Sequence, residues 1–293
     1  PWGMYASIGA SSGFYDYIIG DGGRNTVFAQ NSHASAWWVG GHVELTLLEP
    51  FVFNIDGAYG RLNRTDIDGL TVGNWMYFGE AGTKGWFLAA TLDYKMDWGT
   101  PGIFGWYASG DDKNDLNDGM LGRIPVMGVD QGFQPTTFGF AGNYSIATDS
   151  VVSVTGTGTW GIGIKVADVS FIEDLSHTLR FAYYQGTNDH EIVRANGGQS
   201  FIKYSADALY LTDKDHVYEV NFDHTYKIYE NLTAVLELGW LHLDTDRGTW
   251  GRSRNKDESS DAWQAQLLFQ YKFSEHAVSP RVTSLHQRQL FEL

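Results

Sequence analysis

Cysteine is absent from the 293 residues, which removes disulfides, metal–thiolate sites and thiol nucleophiles together. Proline is scarce, with 6 in the whole chain. Mean hydropathy is -0.27, and no run approaches the roughly 18 consecutive apolar residues that a membrane-spanning helix needs, which excludes a helical membrane protein. Basic residues are outnumbered, 20 Lys and Arg against 35 Asp and Glu, for a formal charge of -15. Such a surface does not neutralise phosphates, so nucleic acid is not an expected partner. No nucleophile elbow, phosphate loop or histidine metal motif is present, and we expect no enzyme, no metal and no cofactor. The opening PWGMYASIGA carries no signal-peptide pattern; the expectation is a removed signal or a longer parent chain.

Glycine and aromatics are plentiful instead: 35 Gly, and 15% Phe, Trp and Tyr. With few helix-favouring runs, this composition points to an all-β protein. Ten strands are expected, at about 2–11, 35–48, 51–62, 84–95, 102–110, 151–169, 176–187, 215–228, 232–244 and 261–273. Short turns (48–50, 97–101, 172–175, 229–231) alternate with long polar loops (12–34, 63–83, 111–150, 188–214, 245–260). Antiparallel neighbours joined this way put every short turn at one end and every long loop at the other, as transmembrane barrels do. The prolines agree. Pro50 and Pro101 fall in short turns, Pro125 and Pro135 in a long loop, Pro1 and Pro280 at the ends, and none interrupts a strand.

The strands are two-faced. In DAWQAQLLFQYKF, Trp263, Ala265, Leu267, Phe269, Tyr271 and Phe273 share one face, with Gln264, Gln266, Gln270 and Lys272 on the other. The same split sets Trp86, Leu88, Leu92 and Tyr94 against Thr91 and Asp93. It sets Trp160, Ile162 and Ile164 against Gly161, Gly163 and Lys165, and Leu236, Leu238 and Trp240 against Glu237 and Gly239. Beyond Trp240 the phase slips, because Leu241 and Leu243 are also apolar, and a β-bulge is expected there.

Periodicity alone does not say which face meets water. Trp263 and Phe273 bracket the last strand, and ten residue steps of ~3.4 Å tilted by about 40° rise roughly 26 Å, the height of an outer-membrane apolar band rimmed by aromatics. The expected fold is therefore a transmembrane antiparallel β-barrel over 1–273, short turns periplasmic and long loops extracellular, followed by a non-barrel tail at 274–293. Trp86, Tyr94, Trp160, Trp240, Trp263, Tyr271 and Phe273 are the expected aromatic girdle. The last strand would form the seam with the first.

The closing Tyr271-Lys272-Phe273 resembles the terminal strand of bacterial outer-membrane proteins. Together with GIFGWYASGDD (102–112) and ALYLTDKDHVYEVNFDHTYKIYENLTAVLELGWLHLD (208–244), it is similar to the C-terminal part of the outer-membrane homotrimeric porins of sulfate-reducing bacteria. The likeness is strongest over about 80–270. It implies a Gram-negative outer-membrane location, a homotrimer, and passive diffusion of small hydrophilic solutes and ions. The family has about sixteen strands per subunit, so N-terminal strands would be missing here.

On that reading Glu44, Asp56, Asp93, Lys95, Lys165, Arg180, Glu219, Asp223, Lys227, Glu237, Gln264, Gln266 and Lys272 line the pore, either tuning permeation or pairing to hold the wall together. The long loop 111–150 resembles the porin loop that folds inward. Asp111, Asp112, Asp115 and Asp118 would then form an acidic constriction opposite Lys165 and Arg180, or a solvated loop tip. Lipid and lipopolysaccharide are the expected surroundings, and acidic excess suggests mild cation preference. Other readings are a substrate-selective channel for sugars or organic acids, a plugged structural barrel, and an omptin-like protease using Asp189-His190 or Asp215-His216 at the rim.

Overall fold

The computed structural model describes residues 1–9, 33–64, 67–72, 75–79, 82–114, 120–125, 135–140, 157–195, 211–251 and 259–272. The described chain is all-β, with one large antiparallel meander. Its strands are β1 (Trp2–Gly9), β2 (His33–Leu45), β3 (Phe51–Arg64), β6 (Gly82–Tyr94), β7 (Thr100–Ala108), β9 (Thr159–Ile172), β10 (Leu175–Gly186), β11 (His216–Tyr229), β12 (Leu232–Asp244) and β13 (Ser259–Tyr271), each hydrogen-bonded to the next. A separate hairpin, β4 (Ile67–Val72) with β5 (Trp75–Gly79), stands between β3 and β6. The two-residue β8 (Met120–Leu121) lies parallel to the start of β6. Two short helices, α1 (His190–Ala195) and α2 (Arg247–Trp250), occupy the connections after β10 and β12.

Three expectations are corrected. The 63–83 connection is not wholly loop, because β4 and β5 pair within it. The bulge expected after Trp240 is absent. Pairing of β11 with β12 runs without a shift from His216↔Asp244 to Lys227↔Thr233, and Leu241 and Leu243 simply turn inward, onto a core cluster. Register shifts lie instead between β9 and β10, on both sides of His177, and at the turn end of β11 and β12, between Lys227 and Tyr229. Finally, the sheet is open: β1 and β13 are its two edges and pair with different strands, not with each other. Phe273 and the 274–293 tail lie outside the described residues.

The connections sort by length. The short-turn end carries 46–50, 95–99, 173–174 and 230–231; Asp174 takes a positive φ of 64° in its two-residue turn, which a short polar side chain tolerates. One hydrogen-bonded row reads Gly41, Gly57, Leu88, Tyr107, Trp160, Gln185, His216, Asp244, Ser259. It starts about four residues above the short-turn end in β2 and finishes about twelve above it in β13, a stagger of about one residue per strand. At ~3.3 Å of rise and ~4.8 Å of strand spacing this inclines the strands by roughly 35°, the tilt found where sheets curl into barrels.

Residues directly opposite in these ladders share a face. One face of β6, β7, β9, β11 and β13 is apolar and exposed, with Trp86, Leu88, Ile103, Ile162, Ile164, Phe222, Leu267 and Phe269 among its side chains. The opposite face holds the buried polar groups Asp56, Thr91, Lys165, Glu219, Asn221, Asp223 and Glu237. Water-soluble sheets bury the apolar side; this one is inverted.

Candidate functional site

The inner face is the candidate site, and it has two storeys. Toward the long-loop end it is aromatic. Phe104, Trp106 and Tyr184 point inward and meet Phe138 and Phe140, with Trp106 and Phe140 edge to face at 5.2 Å and Phe140 and Tyr184 at 5.0 Å. Glycines on the facing strands make the room. A Cβ at Gly161 would stand 2.3 Å from the Trp106 ring, and one at Gly239 would stand 2.7 Å from Phe138. The Trp106 indole donates to Thr159 Oγ1 at 3.0 Å, so its polar edge is satisfied.

Toward the short-turn end the face is ionic. Lys165 Nζ donates to Asp93 at 3.1 Å, Arg180 pairs with Asp223, and His42 meets Asp56 at 2.8 Å. Lys165 and Arg180 are register partners on adjacent strands, so two cations lie side by side, each neutralised by an acid further round the wall. Glu237 stands directly opposite both Asp223 and Gln266, and Gln264 donates to Gln266 at 3.0 Å. Glu44, Lys95, Lys227 and Lys272 are exposed near the short-turn end.

The connection after β7 enters this concave face twice. Residues 120–125 lie over the β2–β6 side. There the Trp38 indole donates to the Pro125 carbonyl at 2.7 Å, and Ile124 joins Ala36, Trp38 and Leu62 in a core cluster. Residues 135–140 lie against β10–β12, and Glu219, wholly buried, holds them. Its Oε1 accepts from the N–H groups of Phe138 at 3.1 Å and Gly139 at 3.0 Å, and from Asn221 at 2.9 Å. Its Oε2 accepts from Thr136 Oγ1 and Tyr184 Oη, both at 2.9 Å. Thr137 adds a bond to Asp223 at 3.1 Å. The inserted segment is thus clasped by wall acids.

Of the acids expected at a constriction, Asp111 is buried and paired with Arg123 at 2.8 Å, and Asp112 is exposed and bonded to Asn114. Asp115 and Asp118 lie outside the described residues. Lys165 and Arg180 face Asp93 and Asp223, not Asp111. Trp86, Tyr94, Trp160, Trp240, Trp263 and Tyr271 share the outer face, with Trp86 stacked on Tyr107 at 4.8 Å and Trp240 beside Trp263 at 6.1 Å.

At the long-loop end, α1 and α2 come together. His190 Nδ1 lies 2.8 Å from Asp213 and 3.7 Å from Asp189, a group of three side chains with the donors for a metal ion. Asp189 also caps the Glu191 N–H at 2.8 Å, and Asp213 accepts from the His190 N–H at 3.0 Å, so the same atoms close the turn. Asp215 and His216 do not form a site together. Asp215 accepts from Thr212, Trp250 and the Asp246 N–H, whereas His216 turns to Asp244 at 3.4 Å. Burial pushes the Asp215 carboxyl up, against the pull of those hydrogen bonds.

Asp246 caps α2, accepting from the Thr249 hydroxyl at 2.6 Å and its N–H at 2.7 Å, and the Thr249 hydroxyl bond foremost holds its carboxyl below the ordinary 3.8. A depressed acid contributes stability above its unfolded value and loses it as pH falls through the folded one. Asp246→Ala should therefore cost about 1 kcal/mol near neutral pH. In urea melts compared across pH, the difference from the parent should shrink once pH falls below the ordinary carboxylate range. A gap unchanged there would contradict the assignment of the cap.

No protein-family model matches the chain, and no curated protein matches it.

Proposed function

We propose that the chain forms an outer-membrane diffusion channel, a barrel with lipid outside and water inside. The observation that carries this reading is the inversion of the sheet: mid-strand Ile164 and Leu267 are each 59% exposed while Lys165, Glu219 and Glu237 on the opposite face are buried. Polar groups cost several kcal/mol if left unpartnered in hydrocarbon, so a membrane strand must pair its backbone and turn its polar side chains inward. Sorted loops and the ~35° inclination support the same reading.

Parity permits closure of the open sheet. Ten strands in a meander leave β13 antiparallel to β1, so the two edges can pair without a change of pattern. With short-turn ends level, Trp2 lies opposite Gln270, Met4 opposite Leu268 and Tyr5 opposite Leu267. This register keeps faces matched: Met4 shares the inner side with its partner Trp38, and Leu268 does so with Val235. Because the chain has no cysteine, Met4→Cys with Leu268→Cys should oxidise to a single cross-linked product with altered electrophoretic mobility. Failure to cross-link here and with the neighbouring inner position, Gln266→Cys, would contradict closure.

Inside, paired charges of both signs around the wall set a transverse field that orders water and screens solutes by size and charge. The channel passes small hydrophilic solutes and ions, with no catalytic step. Excess acid, -15 overall, gives it a mild cation preference. In a potassium chloride gradient the reversal potential should carry the cation-selective sign; the anion-selective sign would refute that preference. The resemblance to homotrimeric porins makes the trimer the proposed assembly.

A further inference from the structure

We infer that His177 and His224 form a two-imidazole chelate for a borderline divalent transition-metal ion, Zn²⁺ or Cu²⁺, on the outer face near the short-turn end. The two residues are direct register partners on β10 and β11. Their Nδ1 atoms converge to 2.6 Å, with the rings at 84° and centroids 4.8 Å apart. They stand on the outer face, where their near neighbours are apolar. His177 sits opposite Val169 on β9 and His224 opposite Leu236 on β12. Phe222 packs its ring at 4.2 Å against His224, and Leu179 and Tyr226 are exposed on either side.

Placement makes the pair more than a chance contact. Ionisable side chains on a lipid-facing surface are costly and are retained where they do something. The ladder between β9 and β10 shifts register immediately before and after His177, and Asp168 nearby takes a φ of 56°. The extra residues of that bulge lie on β9, whereas the β10–β11 ladder runs unshifted, so His177 and His224 meet as regular cross-strand neighbours.

The chemistry suits a metal. Two facing Nδ1 atoms can share only one proton between them, and an ion can replace it. Neutral imidazoles are the preferred ligands of Zn²⁺ and Cu²⁺ among side chains of this kind. Metal–nitrogen bonds of ~2.0–2.1 Å at a tetrahedral angle separate the two nitrogens by about 3.3 Å. The rings need open by well under 1 Å, with water completing the shell at the interface. The argument from placement rests on the lipid-facing reading, whereas metal binding by the pair does not require conduction.

The test uses the full chain, folded in detergent micelles and titrated with Cu²⁺. The expected outcome is one ion per chain at this site, with a paramagnetic resonance spectrum showing two imidazole nitrogens. His177→Ala and His224→Ala should each weaken binding at least about tenfold, and His190→Ala should leave it unchanged. Zn²⁺ titrated by calorimetry should follow the same ranking. A wild-type spectrum with one nitrogen donor or none would overturn the proposal without recourse to variants. Full affinity in the double variant, or loss confined to His190→Ala, would overturn it as well, the latter moving the site to Asp189, His190 and Asp213.

Discussion

Replacing Glu219 with leucine should destabilise the folded protein by on the order of 3–5 kcal/mol and raise single-channel conductance, whereas glutamine should do little of either. The difference lies in how the five donors are arranged. Two backbone N–H groups and the Asn221 amide converge on Oε1, and these can only donate. Two hydroxyls meet Oε2, and a hydroxyl can reverse its role. In Glu219→Gln the amide oxygen takes the Oε1 position and the NH₂ donates to Thr136 and Tyr184, so every group keeps a partner. Leucine strands all five donors in a buried setting, each at about 1–3 kcal/mol before relaxation. Residues 135–140 would then leave the wall, widening the lumen and exposing Phe138 and Phe140. Urea midpoints with conductance of both variants check this. Equal effects from Gln and Leu would mean that charge, not the hydrogen-bond pattern, holds the segment.

Ile164→Arg and Leu267→Arg should each cost about 2–4 kcal/mol in a bilayer, because both stand at mid-strand on the outer face. In water the same changes at positions 59% exposed would fall within about ±0.5 kcal/mol. The two solvents therefore predict outcomes that do not overlap. Folding free energies in lipid vesicles measure the effect, and neutrality of both variants would remove the basis for a lipid-facing sheet.

The strands were legible because period-two alternation survives wherever one face is apolar and the other polar. Ten expected strands meet ten in the meander, and inner and outer faces follow the expected parity, as in Gln264 and Gln266 against Trp263 and Leu267. Alternation fails where both faces are apolar. On β7, Phe104 and Trp106 point inward beside outward Ile103 and Tyr107, and the only sequence signal was small: Gly161 and Gly163 on the neighbouring strand, kept empty for those rings. The same cause produced the expected bulge. Leu241 is apolar because it meets this aromatic storey, not because the phase slips. Residues 67–79 hide a hairpin because their aromatics sit in a segment bounded by glycines that read as loop.

Long-range clasps were not legible at all. Thr136 and Glu219 are 83 residues apart, Phe138 and Glu219 81, and nothing local pairs them. The expected role of the acids at the start of the inserted connection illustrates this. Asp111 and Asp112 looked like the tip, yet the segment clasped by acids is PTTFGF (135–140), and its partners Glu219 and Asp223 come from β11. The His177–His224 pair was equally silent, since one imidazole in each of two strands carries no pattern until the register is known.

Planar-bilayer recording of the purified, folded chain tests the central claim most directly. A water-filled channel predicts stable, ohmic conductance steps in simple salt. Persistent silence from protein whose fold and insertion are verified in the same preparation would contradict it.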